Sequence, residues 1–320
     1  MQTHSFGPLP PVSTLTLGGG GLGQLWGTTT FDECVATVRA AVDAGITLLD
    51  LAPRYGDGKA EAVVGAAFGG RLPAGVRVTS KCNLGDPPAA KIESILRQSI
   101  QSSLRLLQLD RIDVFFLHSN LVPLAHPMWG RADTARFTPL DVFTGIVRPL
   151  FERFIQEGLI GAWGITGIGH PDAIIRVLQD GPKPAAVQCI ANLLDSPGAL
   201  KFYDDDARPR ETMAVARANG VGVMGIRAVQ AGALTAAIDR PLPDDHPEVL
   251  DYARAAGFRR ICAEIGENPA IIAHRYALTL PIDTLVLGVK NRTELAECVA
   301  AANAGPLPAD LIARIDASVR

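Results

Sequence analysis

Short apolar runs rich in β-branched residues alternate with longer amphipathic stretches from one end of the 320-residue chain to the other. The short runs have the composition of strands, and the longer stretches repeat their apolar residues at the spacing of one helix face. The predicted strands are residues 15–17, 47–51, 76–80, 112–117, 161–166, 185–190, 221–226 and 284–289. The predicted helices are residues 31–44, 59–68, 89–107, 140–157, 171–178, 210–219, 268–278 and 293–302.

Eight strands that are each followed by a helix are the pattern of an α/β protein with a (β/α)8 TIM barrel. We expect a single domain over residues 1–320, because barrels of this kind routinely exceed the size of a typical domain. The alternative is a doubly wound sheet, which carries a glycine fingerprint after its first strand. Residues 17–23 (LGGGGLG) have glycines at that spacing, but residues 24–30 (QLWGTTT) do not open a helix directly, so the barrel is favoured.

Two segments, 119–138 and 228–248, are longer than the other connections. Loops of this length in a compact domain are usually functional or disordered, and in a barrel these two would follow strands four and seven on the C-terminal face, where ligands bind. Trp26 and Trp129 are candidate walls of a substrate pocket there. Trp163 lies within a predicted strand, and we expect it in the core.

Charge and cysteine content exclude several classes of function. The 30 basic and 33 acidic residues are scattered, so nothing marks a nucleic-acid-binding arm. We also see neither a secretory signal nor an apolar stretch of the roughly 18 residues that a membrane span needs. The five cysteines form no C-x-x-C pair, which favours reduced, buried thiols over disulfides or a zinc site. We expect a soluble, cytoplasmic protein with a small-molecule substrate and no metal, nucleic-acid or membrane partner.

Three successive predicted strands lead into ionisable residues. The second runs into Asp50, with Tyr55 five residues further on, the third leads to Lys81, and the fourth to His118. Each residue alone has a structural explanation, such as a turn cap or a surface lysine. Because the ends of barrel strands converge on one mouth, the four together predict a site there.

These four residue types suit the donation of a proton to a carbonyl oxygen. A tyrosine with its ordinary pKa of about 10 holds its proton too tightly to be an ideal acid at neutral pH. We expect Lys81, paired with Asp50, to lower the pKa of Tyr55. His118 would orient the carbonyl and stabilise the negative charge that develops on its oxygen.

The segment LLDLAPRYGDGKAEAVVGAAF, which contains Asp50 and Tyr55, resembles the signature of the aldo-keto reductase family. VTSKC and DVFFLHSN resemble the family's lysine and histidine segments, and LGGGGLG, VGVMGIRAVQAGALT and LGVKNRTELAE extend the resemblance over essentially the whole chain. GIRAV and LGVKNRTEL are similar to a bacterial branch that includes sugar and pyridoxal dehydrogenases. The resemblance implies a barrel in which hydride passes between a nicotinamide dinucleotide and a carbonyl carbon, with Tyr55 supplying the proton.

The resemblance also implies which residues contact the cofactor. The nicotinamide amide would be held by Thr166 and Gln188, with Asn192 in support. The loop 232–235 would hold the pyrophosphate. The full candidate set for the cofactor is Gly20, Gly21, Thr166, Gln188, Arg227, Gly232, Leu234, Lys290 and Arg292, with Asn291 beside the last two.

Two positions depart from the family's pattern. Gly167 follows Thr166 where the family commonly has asparagine, so the resemblance does not carry over one contact to the nicotinamide amide. The tyrosine that usually stacks on the nicotinamide ring at the end of strand seven is absent, and Ile226 or Arg227 occupies that region. Stacking on the nicotinamide ring must therefore be weaker or be provided by another residue.

The adenosine end of the cofactor would meet Lys290 and Arg292, two cations suited to a 2′-phosphate. We therefore expect NADP(H) rather than NAD(H), although Glu294 could instead accept from an unphosphorylated ribose hydroxyl. The predicted function is reduction of an aldehyde or ketone, or oxidation of an alcohol or sugar hydroxyl in reverse. Two alternatives remain: a redox-sensing barrel that binds cofactor with little turnover, and a lyase that uses Lys81 as a Schiff base.

Overall fold

The computed structural model describes residues 1–124 and 136–319, and its centre is a closed barrel of eight parallel strands. In chain order the strands are β1 (Thr3–Phe6), β2 (Leu9–Ser13), β3 (Leu15–Gly18), β4 (Leu48–Asp50), β5 (Arg77–Cys82), β6 (Ile112–Leu117), β7 (Asn120–Val122), β8 (Phe137–Pro139), β9 (Ile160–Thr166), β10 (Ala186–Ile190), β11 (Gly222–Ile226) and β12 (Thr284–Leu287). The barrel follows the order β3, β4, β5, β6, β9, β10, β11, β12 and closes from β12 onto β3. The predicted (β/α)8 TIM barrel is therefore confirmed, and the doubly wound alternative is wrong.

Helices surround the barrel. They are α1 (Gly19–Leu22), α2 (Phe31–Asp43), α3 (Lys59–Phe68), α4 (Ala89–Leu107), α5 (Leu140–Val142), α6 (Arg148–Gln156), α7 (Pro171–Gln179), α8 (Pro209–Ala218), α9 (Pro247–Arg254), α10 (Ala256–Glu264), α11 (Pro269–Ala277), α12 (Arg292–Asn303) and α13 (Ala309–Ala317). All eight predicted helices are present, but the one expected at 140–157 is divided by a π-helical segment at Phe143–Val147. Within the described ranges, no helix is both long and apolar enough to cross a membrane.

The sequence patterns missed several elements. The β1–β2 hairpin is short, and most of its outer residues are exposed, so it lacks the apolar run that marks a strand. The helices α9, α10 and α13 were also not predicted. The first of them begins at Pro247, at the end of the expected loop 228–248. The other long segment, 119–138, contains the short parallel pair β7 and β8. Trp129 lies outside the described residues.

The hairpin closes one end of the barrel. Phe6 is fully buried and packs with inward-facing strand residues that include Leu48, Val114 and Met224. A larger apolar cluster lies between the strands and the helices, and it contains Trp163 and all five cysteines, which are unpaired and buried as expected. Because side chains fill the interior behind this plug, the opposite end, where the strands reach their C-termini, is the mouth that can receive a ligand.

Candidate active site

The four ionisable side chains singled out from the sequence lie together at the mouth of the barrel: Asp50 at the end of β4, Lys81 near the end of β5, His118 just after β6, and Tyr55 in the turn after β4. The Nζ atom of Lys81 donates to Asp50 Oδ2 at 2.9 Å and to the Tyr55 hydroxyl at 3.4 Å. The rings of Tyr55 and His118 meet edge to face, with their centroids 5.9 Å apart. The structure therefore brings together all four predicted residues.

Asp50 is buried and held by two donors besides Lys81. Thr79 Oγ1 donates to Asp50 Oδ1 at 2.7 Å, and Gln188 Nε2 donates to the same oxygen at 2.8 Å. Thr79 and Lys81 are two residues apart on β5 and so face the same side of the strand. The sequence analysis missed Thr79, although this period of two could have identified it. With these partners the buried carboxylate is well satisfied and fixes the lysine in place.

The ammonium group of Lys81 donates hydrogen bonds to three acceptors. Besides Asp50 and Tyr55, it donates to the carbonyl oxygen of Leu51 at 2.8 Å. Burial alone would lower the pKa of Lys81, but the negative charge of Asp50, together with Tyr55, raises that pKa above its ordinary value. Lys81 is therefore a fully paired ammonium at neutral pH.

The expected lowering of the Tyr55 pKa is wrong for the folded chain. Burial raises the pKa of this phenol above its ordinary value, because desolvation of the phenolate outweighs the attraction of Lys81, and Asp50 adds to the rise. The residue types predict the attraction between Tyr55 and Lys81, but they do not reveal how deeply the hydroxyl is buried. At neutral pH Tyr55 therefore keeps its proton, and the ammonium of Lys81 lies within hydrogen-bond distance of its oxygen.

His118 is a neutral imidazole in this environment. Burial, with additional repulsion from Lys81 and Arg54, lowers the pKa of His118 to about 3. Its Nδ1 atom is buried without a hydrogen-bond partner, whereas its backbone amide donates to the carbonyl oxygen of Cys82 at 2.7 Å. An imidazole that is not fully satisfied by the protein retains hydrogen-bonding capacity for a ligand.

Thr166 and Gln188 lie opposite each other on β9 and β10. Thr166 Oγ1 donates to the carbonyl oxygen of Leu117 at 3.2 Å, and the amide nitrogen of Gln188 is committed to Asp50. The Oε1 atom of Gln188 has no hydrogen bond within residues 1–124 and 136–319, so it can accept from a carboxamide. This free acceptor beside the four ionisable residues fits a nicotinamide group.

Two further positions bear on the predicted contacts to the nicotinamide amide: Gly167, which departs from the family's pattern, and Asn192. The backbone amide of Gly167 donates to the carbonyl oxygen of Gln188 at 2.7 Å, and a Cβ at position 167 would lie only 2.7 Å from that oxygen. An asparagine here would need a shift of the backbone. Asn192 is used inside its own loop, where Oδ1 accepts from the amide of Leu194 at 3.0 Å and Nδ2 donates to the carbonyl oxygen of Ser196 at 3.0 Å.

Gly20 and Gly21 form the short helix α1 at the end of the first barrel strand. A Cβ at Gly20 would collide with the ring of Trp26, and one at Gly21 would collide with the backbone of Val289. Trp26 is 38% exposed, and its Nε1 donates to the carbonyl oxygen of Gly288 at 3.1 Å. The two glycines thus leave room for the indole of Trp26 beside the first barrel strand, and its place in the wall of a substrate pocket stays a prediction.

The segment after β11 has an unusual backbone. Arg227, Gln230 and Ala231 have φ values of 61°, 47° and 50°, a left-handed region that residues with a side chain seldom occupy. Arg227 Nη2 donates to Glu248 Oε1 at 2.9 Å, and Gln230 Nε2 donates to Asp251 Oδ2 at 2.7 Å. Such strain persists only where the surroundings determine it. The side chain of Arg227 therefore anchors this segment to α9.

The amides expected at the pyrophosphate are engaged within their own turn. Both Gly232 and Leu234 donate to the carbonyl oxygen of Val229, at 3.0 and 3.1 Å. A pyrophosphate bound by these amides would replace those two hydrogen bonds.

The two cations expected at the adenosine end of the cofactor each form an ion pair with a carboxylate of the protein. Lys290 Nζ lies 2.5 Å from Glu294 Oε1, and Arg292 donates to both oxygens of Glu33, at 3.1 and 2.9 Å. Asn291 caps α12 by accepting from the amide of Glu294 at 2.9 Å. Glu33 was not predicted, because 259 residues separate it from Arg292. A 2′-phosphate would have to compete with both carboxylates.

Comparisons with known proteins identify several relatives of this chain. The chain is 26% identical over 296 residues to L-galactose dehydrogenase of Arabidopsis thaliana, a match that covers 91% of this chain and 84% of that protein. It is 28% identical over 221 residues to the NADH-specific methylglyoxal reductase of Escherichia coli (strain K12), a match that covers 65% of this chain and 60% of that protein. An aldo-keto reductase of Klebsiella pneumoniae in complex with NADPH has the same fold, with a TM-score of 0.68 at 20% identity over 99% of this chain and 94% of that chain.

The family model extends over almost the entire chain. Residues 14–320 match the model described as the Aldo/keto reductase family. That range contains all eight strands of the barrel and every site residue discussed above, and it begins just after the β1–β2 hairpin. The chain therefore belongs to the aldo/keto reductase family and is an NAD(P)H-dependent oxidoreductase.

Proposed function

We propose that the protein reduces the carbonyl group of a small aldehyde, ketone or sugar, or oxidises the matching hydroxyl in reverse, with Tyr55 as the acid and base. The observation that carries this proposal is the position of the Lys81 ammonium, 3.4 Å from the Tyr55 hydroxyl and 2.9 Å from Asp50. The similarity to a sugar dehydrogenase supports a sugar or a small carbonyl compound as substrate.

Each of the four ionisable side chains has a separate role in the proposed reaction. A bound nicotinamide dinucleotide supplies or takes up the hydride. Tyr55 delivers its proton to the carbonyl oxygen, and Lys81 stabilises the phenolate that remains. Asp50 keeps Lys81 charged and in position. His118, being neutral, offers a hydrogen bond to the carbonyl oxygen without competing with Tyr55 as an acid.

The cofactor would lie along the mouth from the centre to the rim. Thr166 and Gln188 would orient the carboxamide, and the loop 232–235 would meet the pyrophosphate. Gln188 couples the two halves of the site, because it also donates to Asp50 at 2.8 Å. Orientation of this kind contributes strongly to rate, since small displacements of reacting groups slow the chemical step.

The two alternative functions receive less support. A Schiff-base lysine must be deprotonated to attack a carbonyl, whereas Asp50 and Tyr55 raise the pKa of Lys81. A sensor without turnover would not need a tyrosine and a lysine within hydrogen-bond distance. A screen of aldehydes, ketones and sugars with NADH and NADPH, and of alcohols with both oxidised cofactors, tests the proposal. Cofactor binding without turnover across the screen would favour the sensor, and a borohydride-trapped adduct on Lys81 would favour the lyase.

We predict a broad pH profile for carbonyl reduction. The pKa of Tyr55 is raised, and activity requires its proton, so activity is lost only as the pH rises through that value. His118, with a pKa of about 3, stays neutral at mildly acidic pH. We therefore expect kcat/KM for reduction to vary little between about pH 5 and pH 9. A fall that begins near pH 7 would contradict the raised pKa of Tyr55.

We propose NADP(H) as the preferred cofactor, with Glu33 and Glu294 limiting the preference over NAD(H). The double variant Glu33→Gln/Glu294→Gln removes both negative charges and frees Arg292 and Lys290 for a 2′-phosphate. We expect the ratio of kcat/KM for NADPH to that for NADH to rise about tenfold, or ~1.4 kcal/mol.

The control for this cofactor test is Glu157→Gln, which breaks the ion pair with Arg97 on α4. That change should leave the NADPH to NADH ratio unaltered. An unchanged ratio in the double variant itself would show that these carboxylates do not face the 2′ position.

A further inference from the structure

A buried carboxylate outside the barrel wall takes no part in the mechanism above. Glu61, on α3, has no exposed surface, and its Oε1 accepts from the hydroxyl of Ser80 at 2.6 Å. Ser80 is also 3.0 Å from the hydroxyl of Ser103 on α4. The other oxygen of Glu61 is buried without a hydrogen-bond partner. Burial raises the pKa of Glu61, because the low-polarity surroundings disfavour its charge.

The hydrogen bond from Ser80 links Glu61 to the strand that carries Lys81. Ser80 and Lys81 are consecutive on β5, so their side chains point to opposite sides of the strand. Lys81 points to the mouth and contacts Tyr55, whereas Ser80 points outward to α3 and α4. Glu61 is therefore hydrogen-bonded to the outer side of β5, at the residue next to Lys81.

The same carboxylate is joined to Tyr55 through a short stretch of backbone whose turns are closed by hydrogen bonds. The amide of Tyr55 donates to the carbonyl oxygen of Ala52 at 3.0 Å, and the amide of Gly58 donates to that of Pro53 at 2.8 Å. The amide of Ala60, the residue before Glu61, donates to the carbonyl oxygen of Tyr55 itself at 3.2 Å. Movement of Glu61 would therefore be passed to Tyr55.

The segment that carries Tyr55 is thus attached to β5 on both sides. On the N-terminal side, Lys81 holds the carbonyl oxygen of Leu51 at 2.8 Å, and the amide of Leu51 donates to the carbonyl oxygen of Thr79 at 3.2 Å. On the C-terminal side, the hydrogen bond from Ser80 to Glu61, at 2.6 Å, connects the segment to this strand. Among the described residues it is the shortest side-chain hydrogen bond between the segment and β5. Removal of that bond would loosen the attachment of the segment to β5 on its C-terminal side, although the apolar residues of α3 would remain packed in the core.

We propose that Glu61 is a positioning residue that sets the separation of the Tyr55 hydroxyl and Lys81 by accepting the hydrogen bond of Ser80. This inference rests on the proposed role of Tyr55 and Lys81, and it assigns to Glu61 a part in the reaction although it touches neither substrate nor cofactor. The hydrogen bond, not the negative charge, carries the role. Glutamine, which has the same shape and retains a carbonyl oxygen, should therefore replace Glu61.

The test compares Glu61→Ala, Ser80→Ala, their double variant and Glu61→Gln. We expect Glu61→Ala and Ser80→Ala to lower kcat about 10- to 100-fold, because small displacements of reacting groups have effects of that size. KM for the carbonyl compound and Kd for the cofactor should stay near the values of the unaltered protein. Glu61→Gln should retain kcat within about threefold, and the double variant should be no worse than the more severe single variant.

The matched control is Glu152→Ala. Glu152 is likewise a helix carboxylate bound to a strand side chain, accepting from Trp163 Nε1 at 2.6 Å, but it lies on α6 behind β9. Its removal should lower the melting temperature without lowering kcat.

Each outcome has a distinct meaning. Losses that multiply in the double variant, a kcat that Glu61→Ala leaves unchanged, or a Glu61→Gln variant as impaired as Glu61→Ala would overturn the inference. If Glu61→Ala does not fold, an unchanged kcat in Ser80→Ala overturns it alone. If the unaltered protein turns over no carbonyl compound in the same assay, the proposed function has failed, and that result is separate from any difference between the variants.

Discussion

Tyr55→Phe is expected to lower kcat for reduction of a reactive aldehyde by about 10²- to 10⁴-fold, the usual contribution of a positioned general acid. The ring and its edge-to-face contact with His118 remain, so the shape of the mouth should be preserved. Only the hydroxyl beside Lys81 is lost. Cofactor Kd, measured by fluorescence titration, should therefore change little, and the whole effect should appear in the chemical step.

The control for that experiment is Tyr276→Phe. Tyr276 lies on α11, and its hydroxyl donates to Asp316 on α13 at 2.5 Å, so this variant also loses one hydroxyl, in the layer of helices. We expect it to cost some stability but to leave kcat unaltered. Substantial turnover in Tyr55→Phe, with the control behaving as described, would mean that another group or a water molecule delivers the proton.

The pattern of the sequence was sufficient to predict the barrel and the four ionisable side chains that lie together at its mouth. Asp50, Lys81 and His118 each stand at or just after the end of a strand, and a parallel barrel gathers such ends at one mouth. Their assembly therefore follows from the order of elements alone. The same reasoning could have reached Thr79, whose side chain shares the inner face of β5 with Lys81.

Other features depend on distances that no local pattern contains. The pKa of Tyr55 depends on how far its hydroxyl is buried, and this is decided by packing of the whole mouth. The resemblance implies that Arg292 meets the cofactor's adenosine end, but its ion-pair partner Glu33 comes from the opposite end of the chain. Arg227 likewise meets Glu248, which lay in a segment expected to be a loop. Long-range pairs of this kind decide whether a cation is available to a ligand.

Lys81→Met is expected to destabilise the fold as well as to abolish most activity. It leaves the buried carboxylate of Asp50 with only the donors Thr79 and Gln188 and no opposite charge. Breaking a buried ion pair from one side usually costs about 3–5 kcal/mol in the free energy of unfolding. Denaturant unfolding measures this loss, and steady-state kinetics should show that Tyr55 alone, without the ammonium to stabilise its phenolate, is a poor acid.

A second variant separates the two consequences of that change. Asp50→Asn/Lys81→Met removes both charges, so most of the stability should return, because no unpaired buried charge remains. Activity should not return, because the ammonium beside Tyr55 is still missing. For comparison, Arg314→Met breaks an exposed pair with Glu264 and should cost less than about 1 kcal/mol. If the double variant recovered activity together with stability, the role of Lys81 would be to keep the mouth folded, and the charge beside Tyr55 would not be needed for proton transfer.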